Sequence, residues 1–160
     1  MNDSITPAVG EVTHLGGKLL DAKGQPVRNA VIEIWQVDQN GTYLKMHTSD
    51  GAKMDPNFQG YGRFLTGSTG DYYFRTIKPV PYRGRSAPHI HFKIRTPGHQ
   101  PWTTQAYIQG HPGNARDFLY RRIAADVRHR ITLPFVPVSG SKTGELTTKF
   151  DIVLGWTPEG

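Results

Sequence analysis

The stretch His89-Ile90-His91-Phe92-Lys93-Ile94-Arg95-Thr96 alternates polar and apolar residues from His89 through Arg95. A period of two is the mark of a β-strand, whose successive side chains point to opposite faces. Ile90, Phe92 and Ile94 then face a core, while His89 and His91 share the other face, about 6.5 to 7 Å apart along the strand. Two imidazoles at that spacing can reach one metal ion. Taken alone, the pattern equally describes two half-exposed strand histidines.

Working outward, the chain reads as about eight short β segments separated by turn chemistry. Gly16 to Leu20 and Ala30 to Val37 flank Asp21-Ala-Lys-Gly-Gln-Pro26, and the second is rich in β-branched and aromatic residues. Tyr61 to Thr66 and Tyr72 to Ile77 bracket Gly67-Ser-Thr-Gly-Asp71 and read as a hairpin. Trp102 to Gln109 follows His89 to Thr96, then a helical or irregular piece around Ala115 to Ala124. The last strands are Ile131 to Pro137 and Leu146 to Leu154. This spacing predicts an all-β fold, an antiparallel β-sandwich with little helix and with its functional residues on long loops. The two long connections are Thr42 to Gly60 and Lys78 to Pro88.

At 160 residues the chain is long enough for one domain with a real core, and residues 1–160 are expected to form it. Cysteine is absent, which excludes disulfides and thiolate metal sites and leaves His, Tyr, Asp, Glu and water as ligands. The N-terminus lacks a basic segment followed by an apolar run, and no stretch approaches the roughly 20 apolar residues of a membrane span, so a cytoplasmic protein is expected. The net charge of +6 suggests an anionic partner. The basic residues are scattered among Gly, Pro and apolar positions with no nucleic-acid motif, so a small anionic ligand fits better than nucleic acid.

From Tyr72 through Arg116 there is no Asp or Glu, while Arg75, Lys78, Arg83, Arg85, Lys93, Arg95 and Arg116 are basic. A metal held by His89 and His91 must then have its charge balanced by something other than a local carboxylate. Tyrosinates are the candidates at hand, and a hard cation stabilises the phenolate. A carboxylate ligand would have to come from Asp50, Asp55 or Asp117, in an Fe(II) or zinc site. His14, His47, His99, His111 and His129 have no partner at ligand spacing and read as surface or loop residues.

Several stretches in this order resemble the intradiol ring-cleavage dioxygenases, most closely their protocatechuate-cleaving, iron-binding (beta) subunits. They are Gly24-Gln-Pro-Val, Ile34-Trp-Gln, Gly41-Thr-Tyr43, Asp55-Pro-Asn-Phe-Gln-Gly-Tyr-Gly-Arg63, Tyr73-Phe-Arg-Thr-Ile-Lys-Pro-Val-Pro-Tyr82, Pro88-His-Ile-His-Phe92, Thr104-Gln105 and Phe150-Asp-Ile-Val-Leu154. The resemblance runs from about Gly10 to Leu154. It implies a mononuclear non-haem Fe(III) held by Tyr43, Tyr82, His89 and His91 with a bound water or hydroxide. It also implies that the enzyme opens a catechol, carboxylated or not, between its hydroxylated carbons with O₂, giving a muconate-type diacid. Tyr82 would serve as both ligand and base. Arg85 and Gln105 would stabilise negative charge, and Trp35 and Arg83 would line the substrate.

Two departures bear on these expectations. The family's arginine lies three residues before the first histidine, where this chain has Ser86, with Arg85 one position further back. The loop between Tyr82 and His89 is shorter than in the protocatechuate enzymes, which puts ring specificity in question. A homo-oligomer or pairing with a related subunit is expected. The competing readings are a non-catalytic β-sandwich module, and a metalloenzyme using the same site on a non-catechol phenol or with another metal.

Overall fold

A computed structural model describes residues 10–41 and 60–160. Tyr43, His47, Asp50, Asp55 and most of the Thr42 to Gly60 connection lie outside the described residues. Ten strands are described: β1 (Val12–Leu20), β2 (Val31–Trp35), β3 (Tyr61–Leu65), β4 (Asp71–Ile77), β5 (His89–Arg95), β6 (Trp102–Ile108), β7 (Thr132–Leu133), β8 (Val136–Pro137), β9 (Leu146–Lys149) and β10 (Ile152–Val153). Among the described residues helix is confined to α1 (Phe118–Arg122) and two 3-10 turns, Pro112–Arg116 and Arg128–Ile131. No described helix is long and apolar enough to cross a membrane.

The strands form two sheets. One runs β10-β1-β9-β8 with β4 also on β1, and the other runs β3-β2-β5-β6-β7. Their facing sides share one buried cluster: Leu15, Leu19, Tyr72 and Phe74 from the first sheet pack with Ile32, Ile34, Ile90, Phe92, Ile94 and Ala106 from the second. Phe150 closes it, meeting Phe92 edge-on at 5.1 Å between ring centres. The β4 alternation shows how sequence makes the layer: Tyr72, Phe74 and Thr76 are buried while Tyr73 and Arg75 face outward.

The expectation of a purely antiparallel arrangement is corrected, because both sheets are mixed. β1 pairs antiparallel with β4 but parallel with β9 and β10, and β6 pairs parallel with β7. Both predicted C-terminal strands are each split in two. Ile131 becomes the end of a 3-10 turn; β7 then joins the second sheet and β8 the first, with Pro134, which has no N–H for a ladder, between them. The other split falls at Phe150-Asp151, where the Phe150 ring enters the core and the Asp151 carboxylate accepts the Lys18 backbone N–H at 2.9 Å. Nor do Tyr61 to Thr66 and Tyr72 to Ile77 make a hairpin. The connection crosses between sheets, Thr66 N–H donating to Ala30 C=O and Gly70 C=O accepting from Leu19 N–H.

Strand β5 lies inside its sheet, between β2 and β6. The register sets His91 opposite both Trp35 and Gln105, and His89 opposite Tyr107. Residues paired directly across a ladder share a face. The side turned away from the core therefore carries a row Trp35–His91–Gln105 with His89–Tyr107 beside it.

Candidate active site

The approach to β5 is shaped by a tight turn. Tyr82 and Arg85 exchange both backbone hydrogen bonds, at 2.9 and 3.1 Å, around Arg83-Gly84, with Gly84 at φ 87°. A non-glycine residue at that φ would be strained. The turn leaves Arg83 exposed and sets the Tyr82 and Arg85 side chains near each other, facing the strand. Ser86 then turns away, its hydroxyl donating to Gly113 C=O at 2.8 Å. The arginine one position further back is thus the one whose guanidinium reaches the histidines, with Nη1 3.2 Å from His89 Nε2.

Tyr82 Oη lies 3.3 Å from His89 Nε2, and His89 Nε2 lies 3.1 Å from His91 Nε2. His89 Nδ1 is 2.9 Å from Ala87 C=O. A carbonyl only accepts, so Nδ1 carries the proton and Nε2 offers a lone pair. Burial pushes His89 down to about 4; the Ala87 bond opposes this and the Arg85 charge adds to it. Burial likewise pushes His91 down to about 3, with His89 and Arg85 repelling its charged form. Both rings are neutral at pH 7. Trp35 stacks on His91 with ring centres 4.9 Å apart and planes within 2°, which fixes that imidazole's orientation.

This donor set fits a metal ion. Ligands held at about 2.0–2.2 Å and at right angles on one ion sit roughly 3 Å from each other. The Tyr82–His89 and His89–His91 separations are of that size. Among the described residues no cluster of three or more His, Asp or Glu side chains could hold a metal. Asp117 is not free to act as a carboxylate ligand, because both its oxygens accept hydrogen bonds from Arg85 and from backbone N–H groups.

Arg85 is buried and organises the rest of the site. Its Nε donates to Asp117 Oδ2 at 3.0 Å, and its Nη2 donates to Gln105 Oε1 at 2.8 Å and to Tyr107 Oη at 3.1 Å. Tyr107 Oη in turn donates to Gln105 Oε1 at 3.0 Å. Burial pushes the Tyr107 phenol up to about 12, against the pull of Arg85, so it stays protonated. Gln105 and Tyr107 also border a cavity of about 360 Å³, walled by Leu119, Ile123 and Val127 with Arg122 and Glu159 at its polar side.

The profile of a family described as Dioxygenase matches residues 1–155. The chain belongs to the intradiol dioxygenase family. The beta chain of protocatechuate 3,4-dioxygenase from Burkholderia cepacia is 35% identical over 153 residues, covering 91% of this chain and 65% of that protein. The dioxygenase domain of a dioxygenase–carbohydrate-binding fusion from Streptomyces sp. SirexAA-E superposes with a TM-score of 0.71 at 27% identity, over 94% of this chain and 84% of that one. Catechol 1,2-dioxygenase from Acinetobacter sp. ADP1 shares the fold, with a TM-score of 0.74 at 23% identity over 94% of this chain and 54% of that one. The chain spans about half to two thirds of the length of the first curated relatives it matches.

Set against the sequence reading of this intradiol family member, Tyr82, Arg85, His89, His91, Gln105 and Trp35 come together, Arg83 lies on the exposed turn, and Tyr43 is outside the described residues. Sequence reasoning missed Tyr107 and the structural use of Asp117. The signal for Tyr107 was its place two residues after Gln105 on a strand, which puts both on one face. His14 and His111 stay away from the site: His14 Nε2 meets Glu145 at 3.1 Å, and His111 Nδ1 accepts from Gly113 N–H at 3.0 Å.

Proposed function

We propose that the protein is an Fe(III)-dependent intradiol dioxygenase that opens a catechol between its hydroxylated carbons and places both atoms of O₂ in a muconate-type diacid. Tyr43, Tyr82, His89 and His91 would hold the metal. The observation that carries this reading is the convergence of Tyr82 Oη and the two Nε2 atoms, with the His89 lone pair fixed by its bond to Ala87. A trivalent ion on this donor set supplies a positive centre that binds catecholate oxygens, and two phenolates offset its charge where carboxylates are engaged elsewhere.

The chain's own residues do the rest. Tyr82 would serve both as a ligand and as the base, its phenolate oxygen taking the proton of an incoming catechol hydroxyl. Arg85 Nη1 and the Gln105 amide would supply N–H donors to the negative charge that develops on the substrate. Trp35 holds His91 in place and presents its ring edge to the substrate, with Arg83 at the mouth. The cavity beside Gln105 and Tyr107 is not lined by Tyr82, His89 or His91 and is distinct from the place where those three converge. Residues 1–160 act as one domain of a cytoplasmic enzyme, working as a homo-oligomer or with a related subunit.

The visible spectrum of the iron-loaded protein, before and after anaerobic addition of catechol or protocatechuate, tests this. The expected result is a red-brown tyrosinate-to-Fe(III) band that moves to longer wavelength with the diol. A colourless iron-reconstituted protein that ignores catechols would return the chain to the binding-module reading or to another metal.

A further inference from the structure

Asp117 is fully buried, and its carboxylate accepts hydrogen bonds from Arg85 and from the backbone N–H groups of Ala87, Leu119 and Tyr120. Oδ1 takes the backbone N–H of Leu119 at 3.1 Å and of Tyr120 at 3.0 Å, and thereby caps α1. Capping accounts for one oxygen only. Oδ2 takes Arg85 Nε and the backbone N–H of Ala87, both at 3.0 Å, and Oδ1 also lies 3.3 Å from Arg85 Nη2. A buried ion pair recovers little net stability once both charges are desolvated, and apolar side chains of equal volume usually serve a core as well. A neutral Ser or Asn would cap a five-residue helix at lower cost.

The hydrogen-bond inventory shows what the charge achieves. A guanidinium has five N–H groups in a fixed fork. Nε–H goes to Asp117, and the Nη2 hydrogens go to Gln105 Oε1 and Tyr107 Oη, with Asp117 Oδ1 alongside. Only Nη1 is directed at His89. Gln105 Oε1 accepts from both Arg85 and Tyr107, so the amide nitrogen is the end left to face away from this network. The Gln105 acceptor is thus occupied, and the group directed at the histidines, Arg85 Nη1, is an N–H donor.

We propose that Asp117 is a positioning residue: by clamping the rear of the Arg85 fork and the Ala87 N–H to the start of α1, it gives the Arg85–Gln105 edge its donor-only character toward Tyr82, His89 and His91. This deepens the function proposed above and rests on it. Asp117 has no place in the proposed ligand set, and its effect on the reaction runs through Arg85.

The test uses the full-length protein as Asp117→Ser, which keeps a helix-capping oxygen and loses the clamp, with Arg85→Ala and the double variant beside it. In iron-loaded Asp117→Ser the iron content, the tyrosinate band and the anaerobic catechol shift are expected to be unchanged. Its kcat should fall about tenfold or more, with KM moving far less, the pattern of a lost transition-state contact. The double variant should be no slower than Arg85→Ala. In ¹⁵N-labelled metal-free protein the Arg85 Nε–H resonance should exchange slowly in the wild type and freely in Asp117→Ser, and Asp117→Glu should restore part of both effects. Should Asp117→Ser not fold, as judged by melting, Asp117→Asn replaces it with the same expectations.

Wild-type kcat in the Asp117 variant, an unaltered Nε–H exchange rate, or a double variant slower than Arg85→Ala by the full Asp117 factor would each overturn the proposal. A wild-type protein that holds iron without any catechol shift would sink the functional reading, while the Nε–H measurement would still report on the clamp.

Discussion

His89 shows how one residue links strand geometry to chemistry. Its Nδ1 proton is committed to the Ala87 carbonyl, so its Nε2 lone pair points at the place where Tyr82 and His91 also point, beside Arg85 Nη1. His91→Ala should weaken iron binding by more than the ~10–100-fold typical of losing a ligand's hydrogen-bond partner, because a ligand itself is gone. It should also unstack Trp35, visible as a changed indole emission. Tyr82→Phe should keep iron and lose most turnover, since three ligands stay while the proton acceptor is removed. Iron analysis of both variants checks the difference, and equal iron content would count against these roles. The histidine pair was legible because a period of two is a local property of the chain. The Arg85–Asp117 clamp was not, because its partners lie 32 residues apart and nothing near either one names the other.

At the scale of elements, the strands that carry the site were readable and several of their breaks were not. β5 and β6 end within a residue of the expected limits, and β5 follows its apolar alternation. The division at Phe150-Asp151 comes from tertiary demands. Gly17 lets the Phe150 carbonyl come so close that an added Cβ would lie 2.0 Å from it, and the Tyr72 hydroxyl occupies that carbonyl as well. A second close approach joins the site loop to the 3-10 turn after β6, where a Cβ on Gly113 would lie 1.9 Å from the Ser86 carbonyl oxygen. Backbone cannot yield there as a flexible side chain could. Gly113→Ala should therefore cost at least the ~1–3 kcal/mol of ordinary overpacking and should push the 85–87 segment off the Asp117 clamp. Denaturant unfolding measures the first effect. A drop in kcat at unchanged iron content measures the second, and an alanine variant with wild-type stability would show that the two segments do not touch.

Acid should act on the whole molecule through the same clamp. Burial works to raise the Asp117 carboxyl, but the Arg85 hydrogen bond, the Tyr120 and Ala87 N–H groups and the Arg85 charge outweigh it and hold it below the usual carboxylate range. A carboxyl lowered in the folded state contributes stability that is fully present above its unfolded value of about 3.9 and is lost as pH falls through the folded value. At neutral pH, removing one member of a buried ion pair costs roughly 3–5 kcal/mol. The gap in melting temperature between wild type and Asp117→Ser should thus be constant from pH 7 to about 5 and close below about 4. His91 titrates alike in both proteins, whereas the Asp117 charge favours protonated His89, so the loss of that attraction in the variant works against the closure. A gap that persisted unchanged to pH 2 would mean that Asp117 stabilises by packing and not by charge.

The charge of +6 and the acid-free run from Tyr72 to Arg116 together suggested a strongly basic mouth. Folding moderates it, because carboxylates arrive from outside the run: Asp117 to Arg85 at 3.0 Å, Glu33 to Arg95 at 2.8 Å and Glu11 to Lys78 at 4.0 Å. What survives is a long-range positive field from the net charge, and such a field attracts anions over a screening length that shrinks from ~30 Å at 0.01 M salt to ~10 Å at 0.1 M. A carboxylated catechol is an anion in neutral solution, whereas catechol itself is uncharged there because phenols ionise near pH 10. For the carboxylated substrate kcat/KM should fall a few-fold, roughly two to five, between 0.01 and 0.5 M salt, with kcat constant, because steering acts on encounter and not on chemistry. For catechol the same titration should leave kcat/KM nearly flat. Equal responses for the two substrates would place the salt effect on the protein's own ion pairs. A loss of a hundredfold or more for the carboxylated one would mean that the cations of the run stay open to the ligand despite their partners.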